Sequence, residues 1–381
     1  MKIIHTADLH LDSNLESNLS KSRAEERRNE LLAMFRSIVG YAASNGVEAI
    51  LIAGDLFDMC DVSKTALDVV ISTIAGNPDI KFYYLRGNHD EGAFVEDFRS
   101  RNGKLPDHFM TFSEEWQSYE LTGRDGVKVM ITGAEITKRN TNNLATMLRL
   151  NEENINIVML HGQEADVRGS AENTGDGEII PLREYQNKGI DYLALGHIHT
   201  PSVNRLDARG VYSYCGCPEG RGFDEVGARG FNVINVDHDG LKVDFIPFAK
   251  RVIYDINVDV ADCSDTEEII QRIKDTALNS GVCSKDLMKA RLCGEVNLLT
   301  EIHTDYIKTV LEPEYYVIKI VDETRPLLDY SEFAADASLK GEYIRLIKEE
   351  VDAGNLDEET AANLVRSGIQ LLYNPNSAII K

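Results

Sequence analysis

The chain has 381 residues, 43% of them hydrophobic and 27% charged, the balance of a soluble globular protein and not of a disordered one. That length exceeds one ordinary core and suits two domains plus an appendage, and no apolar run is long enough to span a bilayer. A formal net charge of -23 argues against a protein that grips a nucleic-acid backbone by itself, because phosphate neutralisation by Lys and Arg supplies most of such affinity.

The first strand begins at Lys2-Ile3-Ile4-His5, leaving no room for a signal peptide, so a cytoplasmic protein is expected. The six cysteines (Cys60, Cys215, Cys217, Cys263, Cys283, Cys293) form no CxxC pair and fit reduced thiols. Cys215 and Cys217 suggest a metal site only weakly. A helix follows the first strand, with Ser22 and Glu25 placed as a capping box. Leu31, Phe35, Ile38, Val39 and Ala42 share one face, and Asn45-Gly46 ends it. Val47 to Ala53, Ile80 to Leu85, Ile155 to Leu160 and Asp191 to Leu195 read as buried strands of an α/β domain. Past residue 200 the pattern turns to strands alone: Gly210 to Tyr214, Gly230 to Val236 and Leu241 to Phe248.

Three segments result: 1–250, 251–325 and 326–381. In the second, Val252, Tyr254, Ile256, Val258 and Val260 alternate with polar residues, and Ser264-Asp-Thr-Glu267 caps a helix bearing Ile269, Ile270, Ile273 and Ala277. With strands at Leu287 to Cys293 and Tyr315 to Val321 it reads as a small α+β domain. The third is helical, with apolar stripes Leu339, Tyr343, Leu346, Ile347, Val351 and Ala361, Leu364, Val365, Gly368, Leu372. Such stripes serve a hairpin packed on its own domain or a docking surface for a partner helix.

Five short motifs follow apolar runs: Asp8-Leu9-His10, Gly54-Asp55-Leu-Phe-Asp58, Gly87-Asn88-His89-Asp90, His161-Gly162 and Gly196-His197-Ile198-His199. They contain five of the nine histidines, at the strand ends where α/β sheets assemble ligand sites. Imidazole, carboxylate and amide donors suit Mn, Fe or Zn and not an all-oxygen calcium cage. Singly, each motif has an ordinary explanation as a turn or a satisfied core histidine; the ordered set is specific.

That ordered set resembles the signature of calcineurin-like metallophosphoesterases. The resemblance implies a β-sandwich flanked by helices and two divalent ions. Asp8, His10, Asp55 and His199 would hold one ion; Asp55, Asn88, His161 and His197 would hold the other, with Asp55 bridging. His89 would face the scissile phosphate as a catalytic group, and Asp58 would orient it. Two such ions, roughly 3.5–4 Å apart, clamp a phosphate and acidify the attacking water, and they leave a site of roughly +2 even in an acidic protein.

His5-Thr-Ala-Asp-Leu-His-Leu-Asp12, Ile52-Ala-Gly-Asp-Leu-Phe-Asp58 and Asp191-Tyr-Leu-Ala-Leu-Gly-His-Ile-His-Thr-Pro201 further resemble the SbcD family of bacterial double-strand-break nuclease subunits. Tyr214-Cys-Gly-Cys-Pro-Glu-Gly-Arg221 looks closest to the YhaO-like branch. This resemblance implies a manganese-dependent DNA exonuclease and endonuclease, a homodimer, a capping domain at 251–325, and an SbcC-like ATPase bound through the C-terminal helices. Archaeal and eukaryotic members place a histidine where Asp58 stands, which leaves the detail of leaving-group chemistry open. Charge is the second departure. Glu164, Asp166, Glu172, Asp176 and Glu178 face only Arg168 in the segment 163–178, which would repel a nucleic-acid backbone. Arg221, Arg229 and Lys250 are scattered candidates for phosphate contacts, with ordinary surface charge the simpler account. DNA binding is therefore expected to depend on the partner. The alternatives are a phosphodiesterase or phosphatase on small nucleotides or phosphoproteins, and a scaffold that has lost catalysis; the complete ligand set counts against the latter.

Overall fold

The computed structural model describes residues 1–16, 19–58, 62–90, 93–165, 179–297, 302–327 and 336–373. Cys60 and residues 166–178 of the acidic segment lie outside the described residues. The chain divides into two compact units, Met1–Val252 and Ile253–Lys381. No described helix is long and apolar enough to cross a membrane.

The first unit runs β1 (Lys2–Thr6), α1 (Lys21–Ser44), β2 (Ala49–Ala53), α2 (Lys64–Ala75), β3 (Lys81–Leu85), α3 (Ala93–Asn102), β4 (Phe109–Thr111), β5 (Gln117–Thr122), β6 (Lys128–Gly133), α4 (Leu144–Met147), β7 (Ile155–His161), β8 (Gln163–Ala165) and β9 (Ile179–Pro181). It continues with β10 (Tyr192–Gly196), β11 (Ser202–Arg205), β12 (Val211–Tyr214), β13 (Gly230–Asp237) and β14 (Gly240–Pro247). These strands form two six-stranded sheets, ordered β14-β13-β1-β2-β3-β4 and β11-β12-β10-β7-β6-β5. The strands that carry the histidine and aspartate motifs are mutually parallel within each sheet, β1-β2-β3 in one and β7-β10 in the other. Parallel order brings their carboxyl ends to one edge of each sheet.

Side-chain alternation builds three apolar layers. Ala49, Leu51 and Ala53 of β2 share a core with Ile157 and Met159 of β7 and Ala194 of β10, so this layer lies between the sheets. Ile50 and Ile52 instead pack with Leu31, Phe35 and Ile38 of α1 and Val70 and Ile74 of α2. Val158, Leu160, Leu193 and Leu195 face a third cluster with Leu144, Leu182 and Tyr185. The sandwich flanked by helices expected from the motifs is therefore the observed architecture.

Two helix starts lie off the expected residues. α1 begins at Lys21 with Ser20 as N-cap, and neither Ser22 nor Glu25 forms a capping box. Ala24 N–H already donates to Ser20 O at 2.8 Å, which places Ala24, Arg27 and Leu31 on the buried face. Burial of that face sets the start and overrides the local Ser-x-x-Glu signal. Arg27 then enters an ion network with Glu30 (2.6 Å) and Glu219 (3.0 Å), while Lys250 and Arg251 each reach Glu30 at 2.6 Å.

The second unit contains β15 (Ile253–Asp259), α5 (Thr266–Asn279), β16 (Leu287–Cys293), β17 (Glu295–Asn297), α6 (Thr304–Leu311), β18 (Val317–Asp322), β19 (Arg325–Leu327), α7 (Leu339–Asp352) and α8 (Glu358–Tyr373). Its main sheet, β15-β16-β18, is parallel throughout, with a helix in each connection. Asp265, one residue past the expected Ser264, caps α5 by accepting from Glu268 N–H. Ile344, Val365 and Ile369 join α7 to α8, and Tyr343 Oη donates to Leu364 O at 2.8 Å. Gly368 allows that approach, because a Cβ there would lie 2.3 Å from the Tyr343 ring. Leu339, Leu346, Leu364 and Leu371 stay exposed, so both apolar stripes are only partly covered among the described residues.

Candidate metal centre

Each of the five motifs stands at the carboxyl end of its strand: β1 runs into Asp8, β2 into Asp55, β3 into Asn88-His89, β7 ends on His161 and β10 leads to His197 and His199. Their loops bend sharply. Asp8 (φ 53°), His10 (φ 43°), Asp55 (φ 50°) and His197 (φ 102°) hold positive φ values that side chains other than glycine seldom adopt, a strain that clusters at functional sites. Backbone bonds from Asp8 N to Gly54 O (3.1 Å) and His10 N to Asp55 O (3.0 Å) fix these conformations. Two glycines permit the crowding. A Cβ at Gly54 would lie 2.1 Å from His161 Nδ1, and one at Gly87 would lie 2.1 Å from Asp55 Oδ1.

The donors converge in two overlapping groups, Asp8 with His10 and His199, and Asp8 with Asp55 and His161. Asp55 Oδ2 lies 3.3 Å from His161 Nε2 and 3.6 Å from His10 Nε2, so it sits between the two. Asn88 Oδ1 is 3.0 Å from His161 Nε2 and 3.3 Å from His197 Nδ1. Asp8 Oδ1 accepts from His197 N–H at 2.9 Å, while the buried Asp8 Oδ2 has no hydrogen-bond partner among the described residues.

This donor set fits cations. His10 Nδ1 lies 2.7 Å from Asp58 Oδ1 and His199 Nδ1 lies 2.6 Å from Glu225 Oε1, so each ring keeps its proton on Nδ1. Their Nε2 lone pairs then face each other at 3.1 Å, an arrangement that needs a positive charge. His161 repeats the pattern: Nδ1 meets Ala53 O at 2.9 Å, leaving Nε2 toward the oxygens of Asn88 and Asp55. Burial alone would lower the His161 pKa, but the Asp55 carboxylate outweighs it and raises it to about 9. A proton there does what a divalent ion would do.

Asp58 has a broader role than the expected one. It meets His89 Nδ1 at 3.5 Å but holds His10 at 2.7 Å and accepts from Ser13 Oγ at 2.5 Å. His89 is half exposed, its ring centroid 5.0 Å from that of His10, and its backbone N–H donates to Asp55 Oδ1 at 3.0 Å. Burial would raise the carboxyls of Asp58 and Glu225, yet His10 and Ser13 on the one and His199 and Arg221 on the other hold both at about 2.

Sequence reasoning missed Glu225, Ser13 and Asp90 as parts of the site. Asp90 accepts from the backbone N–H of Leu56 (3.1 Å), Phe57 (2.9 Å) and Gly87 (3.1 Å), bracing the Asp55 loop against the Asn88 loop. Its place at the end of Gly-Asn-His-Asp was the available signal. Glu225 stands 26 residues past His199 with no motif to mark it. The three candidate phosphate cations are otherwise engaged. Arg229 is buried and donates to the backbone carbonyls of His199 and Val226, Lys250 pairs with Glu30, and Arg221 lies among Asp58, Ser13 and Glu225. Cys215 and Cys217 are buried, which pushes both thiols up, and among the described residues only Cys217 of the two joins a cluster, with His199 and Glu225.

Residues 1–201 match the calcineurin-like phosphoesterase family, and the chain belongs to that family; it is a hydrolase dependent on divalent metal. Among its relatives, the uncharacterized metallophosphoesterase YhaO of Bacillus subtilis (strain 168) is 27% identical over 290 residues, covering 72% of this chain and 67% of YhaO. The DNA double-strand break repair protein Mre11 of Aeropyrum pernix is 25% identical over 293 residues, 71% of this chain and 66% of that protein. A component of the nuclease SbcCD of Rhodobacter capsulatus is 32% identical over 100 residues, 25% of this chain and 23% of that protein. The chain thus spans about two thirds of the length of the first two.

Proposed function

We propose that this protein is a two-metal phosphodiesterase acting on DNA, the nuclease subunit of a break-repair assembly. The observation that carries the metal reading is the convergence of donor atoms: the facing Nε2 atoms of His10 and His199 and the unpartnered Oδ2 of Asp8. Asp8, His10, Asp55 and His199 would hold one ion, and Asp55, Asn88, His161 and His197 the other. Manganese is the expected metal, with iron and zinc compatible with the same donors. When bound, the pair would supply Lewis-acid charge for the phosphate and an acidified water. The chain's own residues do the rest. Asp55 reaches toward both halves of the site, and Asn88 Oδ1 joins His161 and His197. His89, half exposed beside Asp58, donates a hydrogen bond or a proton at the leaving oxygen.

DNA as substrate is supported by the names of the Mre11 and SbcCD relatives. In this reading residues 1–250 are the nuclease domain and 251–325 a capping domain. The exposed leucines of the 326–381 helices dock an SbcC-like ATPase, and two copies of the chain pair as a homodimer, in the cytoplasm. The test is cleavage of labelled single- and double-stranded DNA with Mn, beside an Asp55→Asn control and a bis-(p-nitrophenyl) phosphate assay. Metal-dependent cutting that the control abolishes is the expected result. Hydrolysis of the small diester with no DNA cutting, even after the ATPase is added, would overturn the nuclease reading and leave the metal site.

A further inference from the structure

His10 and His199 come from loops after different strands, β1 and β10, yet the carboxylates behind them meet at one side chain. Arg221 Nη1 donates to Asp58 Oδ1 at 3.3 Å and to Ser13 Oγ at 3.1 Å. Its Nε and Nη2 donate to Glu225 Oε1 at 3.3 and 3.1 Å, and Nη2 stands 3.4 Å from His199 Nδ1. The Arg221 backbone N–H donates to Glu225 Oε2 at 2.5 Å. This guanidinium is only 19% exposed and contacts neither metal-facing Nε2 nitrogen in this set. His199, Cys217 and Glu225 form a cluster that could by itself attract a cation. Arg221 already supplies that cation.

We propose that Arg221 is the positioning residue of the metal centre, locking Asp58 and Glu225 as a matched pair so that His10 and His199 present their Nε2 atoms to one divalent ion. The inference rests on the two-metal reading and extends it to a residue outside the ligand set. Geometry explains why arginine serves here. A planar fork with five donors can hold two carboxylates at fixed angles at once, whereas a lysine offers one mobile charge. Partners behind a metal-binding histidine fix its tautomer and orientation, and their loss weakens metal affinity roughly ten- to a hundredfold. The loop does not need the Arg221 side chain to stay in place. Glu219, two residues earlier, accepts from Arg27 Nη1 (3.0 Å) and from the backbone N–H of Lys250 (2.6 Å) and Arg251 (3.2 Å), and Arg27 Nη2 donates to Gly220 O at 2.6 Å.

Removing the guanidinium has an effect of definite sign. If it acted only through its charge, its loss would tighten the binding of a divalent cation. If it acts by positioning, its loss weakens binding at one site. The experiment is calorimetric titration of the metal-free full chain with Mn, with bound metal counted by elemental analysis and folding checked by circular dichroism. The proteins are wild type, Arg221→Ala, Arg221→Lys, Glu225→Ala, the Arg221→Ala/Glu225→Ala double variant and the surface control Lys104→Ala. Expected are two ions in the wild type and the control, with one of the two weakened roughly ten- to a hundredfold in Arg221→Ala. Arg221→Lys should be intermediate, and the double variant should lose less than the product of the single losses, because the two residues act as a unit. Affinity in Arg221→Ala that is unchanged, tighter, or lost in simple proportion with Glu225→Ala would overturn the proposal. A wild type that binds no ions would instead sink the two-metal reading itself, so the two failures are distinct.

Discussion

Asp8→Asn should reverse its effect on stability between metal-free and metal-loaded protein. Asp8 is 1% exposed, and its Oδ2 is without a hydrogen-bond partner among the described residues. A buried acceptor in that condition costs about 1–3 kcal/mol, more when charged. Its ligand oxygen also lies within 4.8 Å of those of Asp55 and His161. Two carboxylates at that separation repel by roughly 3 kcal/mol at an effective dielectric constant of 20, a protonated His161 attracts by a similar amount, and the unpartnered oxygen decides the sign. The asparagine keeps an oxygen for His197 N–H and replaces the second carboxylate oxygen by an amide donor beside Asp55. In excess chelator the variant should therefore be more stable than the wild type by about 1–3 kcal/mol. For a unit of this size each kcal/mol shifts the melting temperature by roughly 2–4 °C, so a rise of about 2–12 °C is expected. Saturating Mn stabilises the wild type by about 4.1 kcal/mol at a thousand times its dissociation constant. The variant has lost a charged ligand and forgoes most of that gain, so the order inverts. Thermal melts with chelator and with Mn give both numbers. A metal-free variant that melts at or below the metal-free wild type would refute the reasoning.

His89→Ala should retain two bound ions by elemental analysis while turnover falls roughly 10²–10⁴-fold, as expected for a lost general acid; loss of metal would reassign His89 to the ligand set. Arg27→Met should lower the urea-unfolding free energy by about 3–5 kcal/mol, because Glu219 remains buried without its cation; an unchanged midpoint would mean the network contributes nothing. Glu30 gives the pH dependence. Burial raises its carboxyl, but hydrogen bonds from Arg251, Lys250 and Arg27 prevail and bring it down to about 2. A depressed carboxyl contributes stability that is full above the unfolded value of 4.5 and is lost as the pH falls through about 2. Stability measured from pH 5 down to pH 2 should fall less steeply in Glu30→Gln than in the wild type.

The convergence of the proposed ligands was legible because each of them ends a buried strand or follows one closely. Chemistry and pattern coincide there, in Ile50-Leu51-Ile52 before Asp55 and Leu193-Ala194-Leu195 before His197. Edge strands carried less signal. In β5 most positions are exposed or half-buried, so the alternation that marks a strand is faint. The residues that hold the histidines from behind were the least legible. Glu225 pairs with His199 across 26 positions, Arg221 reaches Ser13 across 208, and neither lies in a metal-ligand motif, since long-range pairing leaves no local pattern. The α1 start shows the converse. Ser22 and Glu25 are correctly spaced for a cap, but the buried face that carries Arg27 begins earlier and decides the boundary.

An acidic chain that acts on a phosphodiester must place its positive charge carefully, and here several arginines serve the fold. Arg27 and Arg251 neutralise Glu30 and its neighbours, Arg86 pairs with Glu135, Arg209 with Asp191, and Arg221 with Asp58 and Glu225. Each of these guanidiniums is bound to a carboxylate, and a phosphate would have to displace that partner to gain a contact. With these five arginines committed, a metal centre would supply positive charge over one or two phosphates and not along a groove. Catalytic attraction is thereby separated from track-like binding. Isolated protein should bind duplex DNA weakly and with a shallow salt dependence, since few phosphates are neutralised. If the proposed ATPase partner carries the grip on DNA, adding it should steepen that slope. A steep slope already present in the isolated protein would show that free basic surface exists and that the partner is not required for grip.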